Sequence, residues 1–159
     1  MEKNGTDYIL ISPVKDEEKY IEQTLDSVIN QTIKPLQWII VDDRSSDKTP
    51  EIIDSYRKQF DWIEVLKIER DTARQPGSPI VNAFNRGYDL VKDNKFDFVV
   101  KLDCDLRFAS DYFEKLLQEF AKDPRLGIAS GIYLQDFGNG WVPIEMPSYH
   151  TAGACKFMR

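Results

Sequence analysis

Phe98-Val99-Val100-Lys101-Leu102-Asp103-Cys104-Asp105 is an apolar run, interrupted once by lysine, that ends in two aspartates one residue apart. An apolar stretch this short, bounded by polar residues, reads as a strand, here from Phe96 to Leu102, whose carboxyl end delivers the acidic pair. On extended backbone residues i and i+2 project to the same side, so Asp103 and Asp105 can share a cation while Cys104 points the other way, towards the core. Hard oxygen donors of this kind suit magnesium or manganese, which leave positions for water and phosphate oxygens.

Working outward, the same alternation recurs on the amino-terminal side. Tyr8 to Val14 reads as a first strand, Leu36 to Val41 as a second and Ile63 to Ile68 as a third. Between them lie segments with helical spacing. From Glu17 to Gln31 the apolar positions are Tyr20, Ile21, Leu25, Val28 and Ile29. A helix from Thr49, as N-cap, to about Gln59 has Pro50 at its first position, and Ser78-Pro79 repeats that signal before an apolar face of Ile80, Val81, Phe84, Tyr88 and Val91. After the aspartates, Asp111 and Glu114 form a capping-box-like pair ahead of Leu116, Leu117 and Phe120. A fifth strand is expected from Leu126 to about Tyr133, and Gln135 to Arg159 has no single period. Strand and helix alternating in this order predict an α/β domain with a mostly parallel sheet flanked by helices.

Length and composition narrow the function classes. A chain of 159 residues fits one domain, with 42% hydrophobic and 30% charged residues, values of a globular protein rather than a disordered one. The net charge of -6, with no basic stripe, argues against nucleic acid as a partner. An acidic protein still binds an acidic ligand when a divalent cation lies between them. Two cysteines and one histidine, Cys104, Cys155 and His150, cannot make a Cys/His zinc site of the usual kind. The polar amino terminus and the short first apolar run predict neither signal peptide nor membrane span, and the compartment reads as cytoplasmic.

In open parallel sheets ligands bind beyond the carboxyl ends of the strands. Three acidic segments fall there: Pro13-Val14-Lys15-Asp16-Glu17, Asp42-Asp43 and Asp103-Cys104-Asp105. Aspartate also favours turns and caps, so each segment alone is better explained as the polar end of a strand. Three converging on one crevice favour a site.

Ile11-Ser12-Pro13-Val14-Lys15-Asp16-Glu17-Glu18, Val41-Asp42-Asp43-Arg44-Ser45-Ser46-Asp47 and Leu102-Asp103-Cys104-Asp105 together resemble family 2 glycosyltransferases of the GT-A fold. The likeness extends through Ala83-Phe84-Asn85-Arg86-Gly87 and into Gly153-Ala154-Cys155-Lys156-Phe157-Met158-Arg159. The resemblance implies binding of a nucleotide-diphosphate sugar, UDP- or GDP-linked, with Mn2+ or Mg2+, and inverting transfer of a hexose to a hydroxyl of a glycan or lipid-linked acceptor in cell-surface polysaccharide synthesis. It implies that Pro13, Val14 and Glu17 lie against the nucleoside, Val41 and Asp43 against the base, Arg74 near base or phosphate, Asp103 at ribose and metal, and Asp105 on the metal. Lys15 stands where the family often has an aromatic residue. Lys101 is expected to snorkel from the sheet or reach a phosphate, and His150 to be structural or a late metal or phosphate ligand. The catalytic base is expected beyond Arg159, with the chain part of a longer protein that the resemblance allows to be membrane-associated. Asp136 and Glu145 are the late carboxylates nearby.

Three rivals share parts of the pattern. A haloacid-dehalogenase-like phosphatase would use Asp103 as nucleophile and Asp105 as acid, but leaves Asp42-Asp43 unexplained. An EF-hand register over Asp103, Asp105, Asp111 and Glu114 fails at Arg107 and Phe108. A donor-binding module without turnover would keep the same cleft.

Overall fold

The computed structural model describes residues 6–69, 78–147 and 150–159. The elements are β1 (Tyr8–Val14), α1 (Ile21–Ile29), β2 (Gln37–Asp42), α2 (Thr49–Arg57), β3 (Ile63–Lys67), α3 (Pro79–Asp89), β4 (Phe98–Leu102), α4 (Tyr112–Lys122), β5 (Ile128–Ala129), β6 (Leu134–Asp136), β7 (Trp141–Pro143) and β8 (Cys155–Met158). Six strands form one sheet in the order β3-β2-β1-β4-β8-β5, and β6 and β7 pair as a separate hairpin. β3, β2, β1 and β4 run parallel, with Ile11 opposite both Ile39 of β2 and Lys101 of β4. β8 enters antiparallel between β4 and β5.

The central strands are apolar on both faces because both faces are covered, as parallel crossovers require. Tyr8, Leu10, Trp38, Ile40, Phe98, Val100 and Leu102 point to the side of α1, α2 and α4, where Leu25, Ile53, Phe113 and Phe120 complete a core. Ile9, Ile11, Ile39 and Val41 point to the other side, beneath Ala83 of α3 and Val91. Polar atoms inside the first core are paired: Trp38 Nε1 donates to Ser12 Oγ at 2.9 Å and the Tyr8 hydroxyl to Ile33 C=O at 2.7 Å, as buried polar groups must be.

Several boundaries differ from the expectations. The first helix starts at Ile21, not Glu17, because the amides of Glu17 and Glu18 donate to Thr49 Oγ1 and Asp47 Oδ2 (2.8 and 3.0 Å) and hold residues 17–20 as a turn. Tyr20 is accordingly exposed. Thr49 is the first residue of α2 and Lys48 its N-cap, since the Thr49 hydroxyl is engaged across the loop. Asp111 does cap α4 in position, but without a side-chain cap bond. Instead it pairs with Lys115 at 2.8 Å, and Glu114 accepts from the Thr32 hydroxyl at 2.6 Å.

The apolar face expected for α3 is buried only in part: Val91 is in the core and Phe84 packs against it. Ile80 and Val81 are exposed, and the residues pressed on the sheet are Ala83 and Gly87. A Cβ on Gly87 would stand 2.8 Å from Cγ2 of both Ile11 and Val41, so only small residues let the helix approach this closely. The fifth strand shrinks to Ile128–Ala129, and the aperiodic tail contains the β6–β7 hairpin and β8.

Candidate functional site

The parallel strands put their carboxyl ends on one edge, and the order reverses between β1 and β4: the chain steps outward through β2 and β3, then crosses back to β4. Such a reversal leaves a crevice where the following loops diverge. A cleft of about 300 Å³ opens there. Pro13, Val14, Lys15 and Glu17 line it from the β1 end, Asp43 from the β2 end, and Asp103, Cys104 and Asp105 from the β4 end. Pro79, Ile80 and Ala83 of α3 form its remaining wall. This explains the exposure of Ile80, and neither Pro79 nor Ile80 was expected at the site; the Ser78-Pro79 cap signal fixed where a helix begins, not what its first turn faces.

The two rim loops are stitched to one another. Asp16 N–H donates to Ser45 Oγ at 3.0 Å, Asp16 Oδ1 accepts from Ser46 N–H at 2.6 Å, and Glu18 Oε2 accepts from Lys48 N–H at 3.0 Å. Asp42, by contrast, is buried and turns its carboxylate onto Ser45 N–H at 2.9 Å. Asp16 and Arg44 hold left-handed backbone, φ 52° and 61°, a conformation uncommon for residues other than glycine and often found where function fixes a loop. Asp43, anchored by its amide to Val14 C=O at 2.9 Å, carries Arg44 Nε on Oδ1, also at 2.9 Å.

The aspartates do not sit on extended strand. β4 ends at Leu102, and Asp103 to Asp105 turn away from it, yet both carboxylates reach the cleft. The Asp103 amide donates to Ala154 C=O at 2.7 Å. Its carboxylate Oδ1 accepts from Lys101 Nζ, which also donates to Gly153 C=O at 2.8 Å. Lys101 therefore reaches a carboxylate, not open solvent. The loop after Asp105 is pinned from below by α1. Thr24 Oγ1 donates to Leu106 C=O at 2.7 Å, and buried Gln31 bridges Ala109 C=O and Phe113 N–H at 2.7 and 3.0 Å. Sequence reading missed both residues; Thr24 is a polar side chain at an inward position of α1, and Gln31 lies just past its C-cap.

Burial, then the charges of Asp105 and Asp103, raises the Glu17 carboxyl above its ordinary value. Burial also raises Asp103, against the opposing hydrogen bond and charge of Lys101. Negative charge is thus in excess at this edge, and two hard carboxylates fit a divalent magnesium or manganese ion. Among the described residues no three His, Cys, Asp or Glu side chains form a closed metal centre, so oxygens from a ligand and water would have to complete the coordination. Cys104 and Cys155 are buried free thiols. Burial holds Cys104 well above the usual range and pushes Cys155 up to about 11, which keeps both protonated.

Not every expected residue arrives. Val41 is fully buried against α3, away from the cleft lining. Arg74 lies outside the described residues. Asp136 accepts from Gly138 and Gly140 amides at 2.8 and 3.2 Å, tying its own hairpin turn. His150 is exposed, and its amide donates to Pro147 C=O at 2.8 Å. No described helix is long and apolar enough to cross a membrane.

Comparison with known proteins converges on one family. A family model described as glycosyl transferase family 2 matches residues 9–152. Poly-beta-1,6-N-acetyl-D-glucosamine synthase of Staphylococcus epidermidis is 32% identical over 117 residues, covering 73% of this chain and 26% of that relative. The synthase of Staphylococcus aureus strain COL matches at the same identity and coverage, 32%, 73% and 26%. The chain spans about a quarter of the length of these curated relatives. The crystal structure of Staphylococcus aureus TarS 1-349 in complex with UDP-GlcNAc is similar with TM-score 0.55 and 25% identity, covering 73% of this chain and 31% of that one. Mannosyltransferase PcManGT of Pyrobaculum calidifontis, in complex with GDP-Man and Mn2+, has TM-score 0.59 at 22% identity, covering 77% and 34%. The architecture is the GT-A one, and the phosphatase alternative has no support beside it. With the cleft built from the three strand-end segments and the family match covering nearly all of them, the chain belongs to glycosyl transferase family 2.

Proposed function

We propose that this chain is the donor-binding part of a glycosyltransferase, holding a nucleotide-diphosphate sugar at the strand-end cleft with a divalent cation between its diphosphate and Asp103 and Asp105. The observation that carries the reading is the meeting of Pro13, Glu17, Asp43, Asp103 and Asp105, from three distant segments, in one cleft. UDP-GlcNAc in TarS and GDP-Man with Mn2+ in PcManGT support that ligand class and that metal.

In this reading Asp105 and Asp103 would hold the ion, and when bound it would supply positive charge that offsets the diphosphate. Pro13, Val14 and Glu17 line the nucleoside's side. Asp43, fixed by Val14 C=O and Arg44, presents an acceptor to N–H groups of the base. The stitched rim supplies these contacts without a large ordering cost on binding. Transfer goes to a hydroxyl of a glycan or lipid-linked acceptor with inversion, and the base that removes the hydroxyl proton is outside the cleft carboxylates already assigned. In this reading the chain serves polysaccharide synthesis, a role supported by its similarity to the poly-beta-1,6-N-acetyl-D-glucosamine synthases.

Isothermal titration with UDP and with GDP, with and without Mn2+, tests the reading. Binding of at least one nucleotide that needs the metal is the expected result, and Asp105→Ala should abolish the metal-dependent part. No binding of either nucleotide would sink it.

A further inference from the structure

Lys101 is a cation placed inside the sheet. It lies on β4 between Ile11 of β1 and Lys156 of β8, and its side chain is only 15% exposed. Alternation along β4 puts Phe98, Val100 and Leu102 into the large core, so Lys101 belongs to the α3 face, one register step beyond Val99. A lysine there must desolvate its ammonium unless the strand end supplies acceptors. Two are supplied: Asp103 Oδ1 and the Gly153 carbonyl, the latter at 2.8 Å. The same seam is closed by the Asp103 amide on Ala154 C=O at 2.7 Å.

We propose that Lys101 is a positioning residue of the donor site, holding the Asp103 carboxylate by one oxygen and fastening it to the Gly153 carbonyl across the β4–β8 seam. The inference rests on the donor-site reading above. With Oδ1 engaged, Asp103 turns its other oxygen to an ion, and its rotamer is set before the ligand arrives. The bridge also makes the geometry of Asp103 depend on residues 153–154, some fifty positions later in the chain. Partners that orient a metal-binding carboxylate in this way typically alter metal affinity by about 10–100-fold when removed.

The test titrates UDP and GDP into the 159-residue chain at increasing Mn2+, beside Lys101→Met and Lys101→Gln, and follows uridine and guanosine without metal by saturation-transfer NMR. Lys101→Met should raise the Mn2+ needed for half-maximal nucleotide binding about tenfold. Lys101→Gln, which retains one donor, should raise it less, and nucleoside binding should not change. Should the methionine variant fail to fold, the glutamine variant decides. Wild-type metal dependence in either folded variant overturns the inference. Equal loss of nucleoside and metal-nucleotide binding overturns it too, because a general scaffold residue would impair both together. Absence of Mn2+-dependent binding in the unsubstituted chain would instead overturn the donor-site reading, and this inference with it.

Discussion

Glu17 faces the cleft with Asp103 and Asp105 close enough to raise its affinity for a proton. A carboxyl whose pKa is higher folded than unfolded binds more protons in the native state. Stability therefore falls as pH rises through the window between its ordinary value, 4.5, and the raised one. Glu17→Gln should melt at the same temperature as the wild type in acid and at a higher one at neutral pH, without metal. Thermal unfolding across pH reads this directly, and a pH-independent difference would show that burial and the acidic neighbours do not raise the Glu17 carboxyl. A saturating divalent cation should shrink the difference, since it relieves the same repulsion. Asp43 behaves otherwise: fixed at the β2 end of the cleft by Val14 and Arg44, it should weaken nucleoside binding about equally with and without Mn2+ when replaced by alanine. A loss seen only with the metal would remove it from the base. The acidic residues were legible in sequence because strand ends concentrate polar groups, and three such ends point to one place. The stitching was not, because Ser45, Ser46 and Thr49 look like any polar loop until the two loops are side by side. Val41 was misjudged for a related reason: its position at a strand end was readable, its orientation beneath α3 was not.

At the scale of elements, α3 is the instructive case. Its large apolar residues suggested a buried stripe, yet the helix lies on the sheet through Ala83 and Gly87. Close approach, rather than apolar volume, decides which face turns inward here. Gly87→Ala would gain helix propensity of about 1 kcal/mol and lose more, because the added methyl meets Ile11 and Val41 at 2.8 Å. Overpacking of this kind costs about 1–3 kcal/mol. The expected net result is modest destabilisation in urea titration, accompanied by weaker nucleotide binding, since Pro79 and Ile80 at the start of the same helix wall the cleft. A fully stable variant with unchanged binding would mean that α3 shifts freely on the sheet. The four parallel strands were read to within two residues because a twice-covered sheet leaves continuous apolar runs. Helix starts were displaced by one to four residues wherever loop-to-loop hydrogen bonds claimed the first amides.

At the scale of the whole molecule, the last strand holds the two halves together. Phe157 packs its ring against Tyr8, Phe98, Phe113 and Phe120, with centroids 5.4, 5.3, 6.1 and 5.5 Å away. Arg159 extends that contact, donating to Pro124 and Phe120 carbonyls at 2.6 and 2.8 Å beyond α4. Phe157→Ala should cost about 3–5 kcal/mol, measured as a lowered urea midpoint with unchanged slope. A cost below about 1 kcal/mol would show that the ring cluster repacks around the gap. Sequence periodicity could not find this strand, because four residues entering antiparallel carry too little pattern to separate from a loop.

The antiparallel entry of β8 also orders events in time. Tyr8 through Leu102 can pair as four parallel strands during synthesis, but Asp103 has no partner for its amide, and Lys101 no second acceptor, until Gly153 and Ala154 have left the ribosome. At roughly 5–20 residues per second, the interval lasts several seconds. A nascent chain in that interval exposes an unpaired β4 edge beside an unfinished acidic pocket, so completion of that pocket and protection of the edge are postponed to the same late moment of translation.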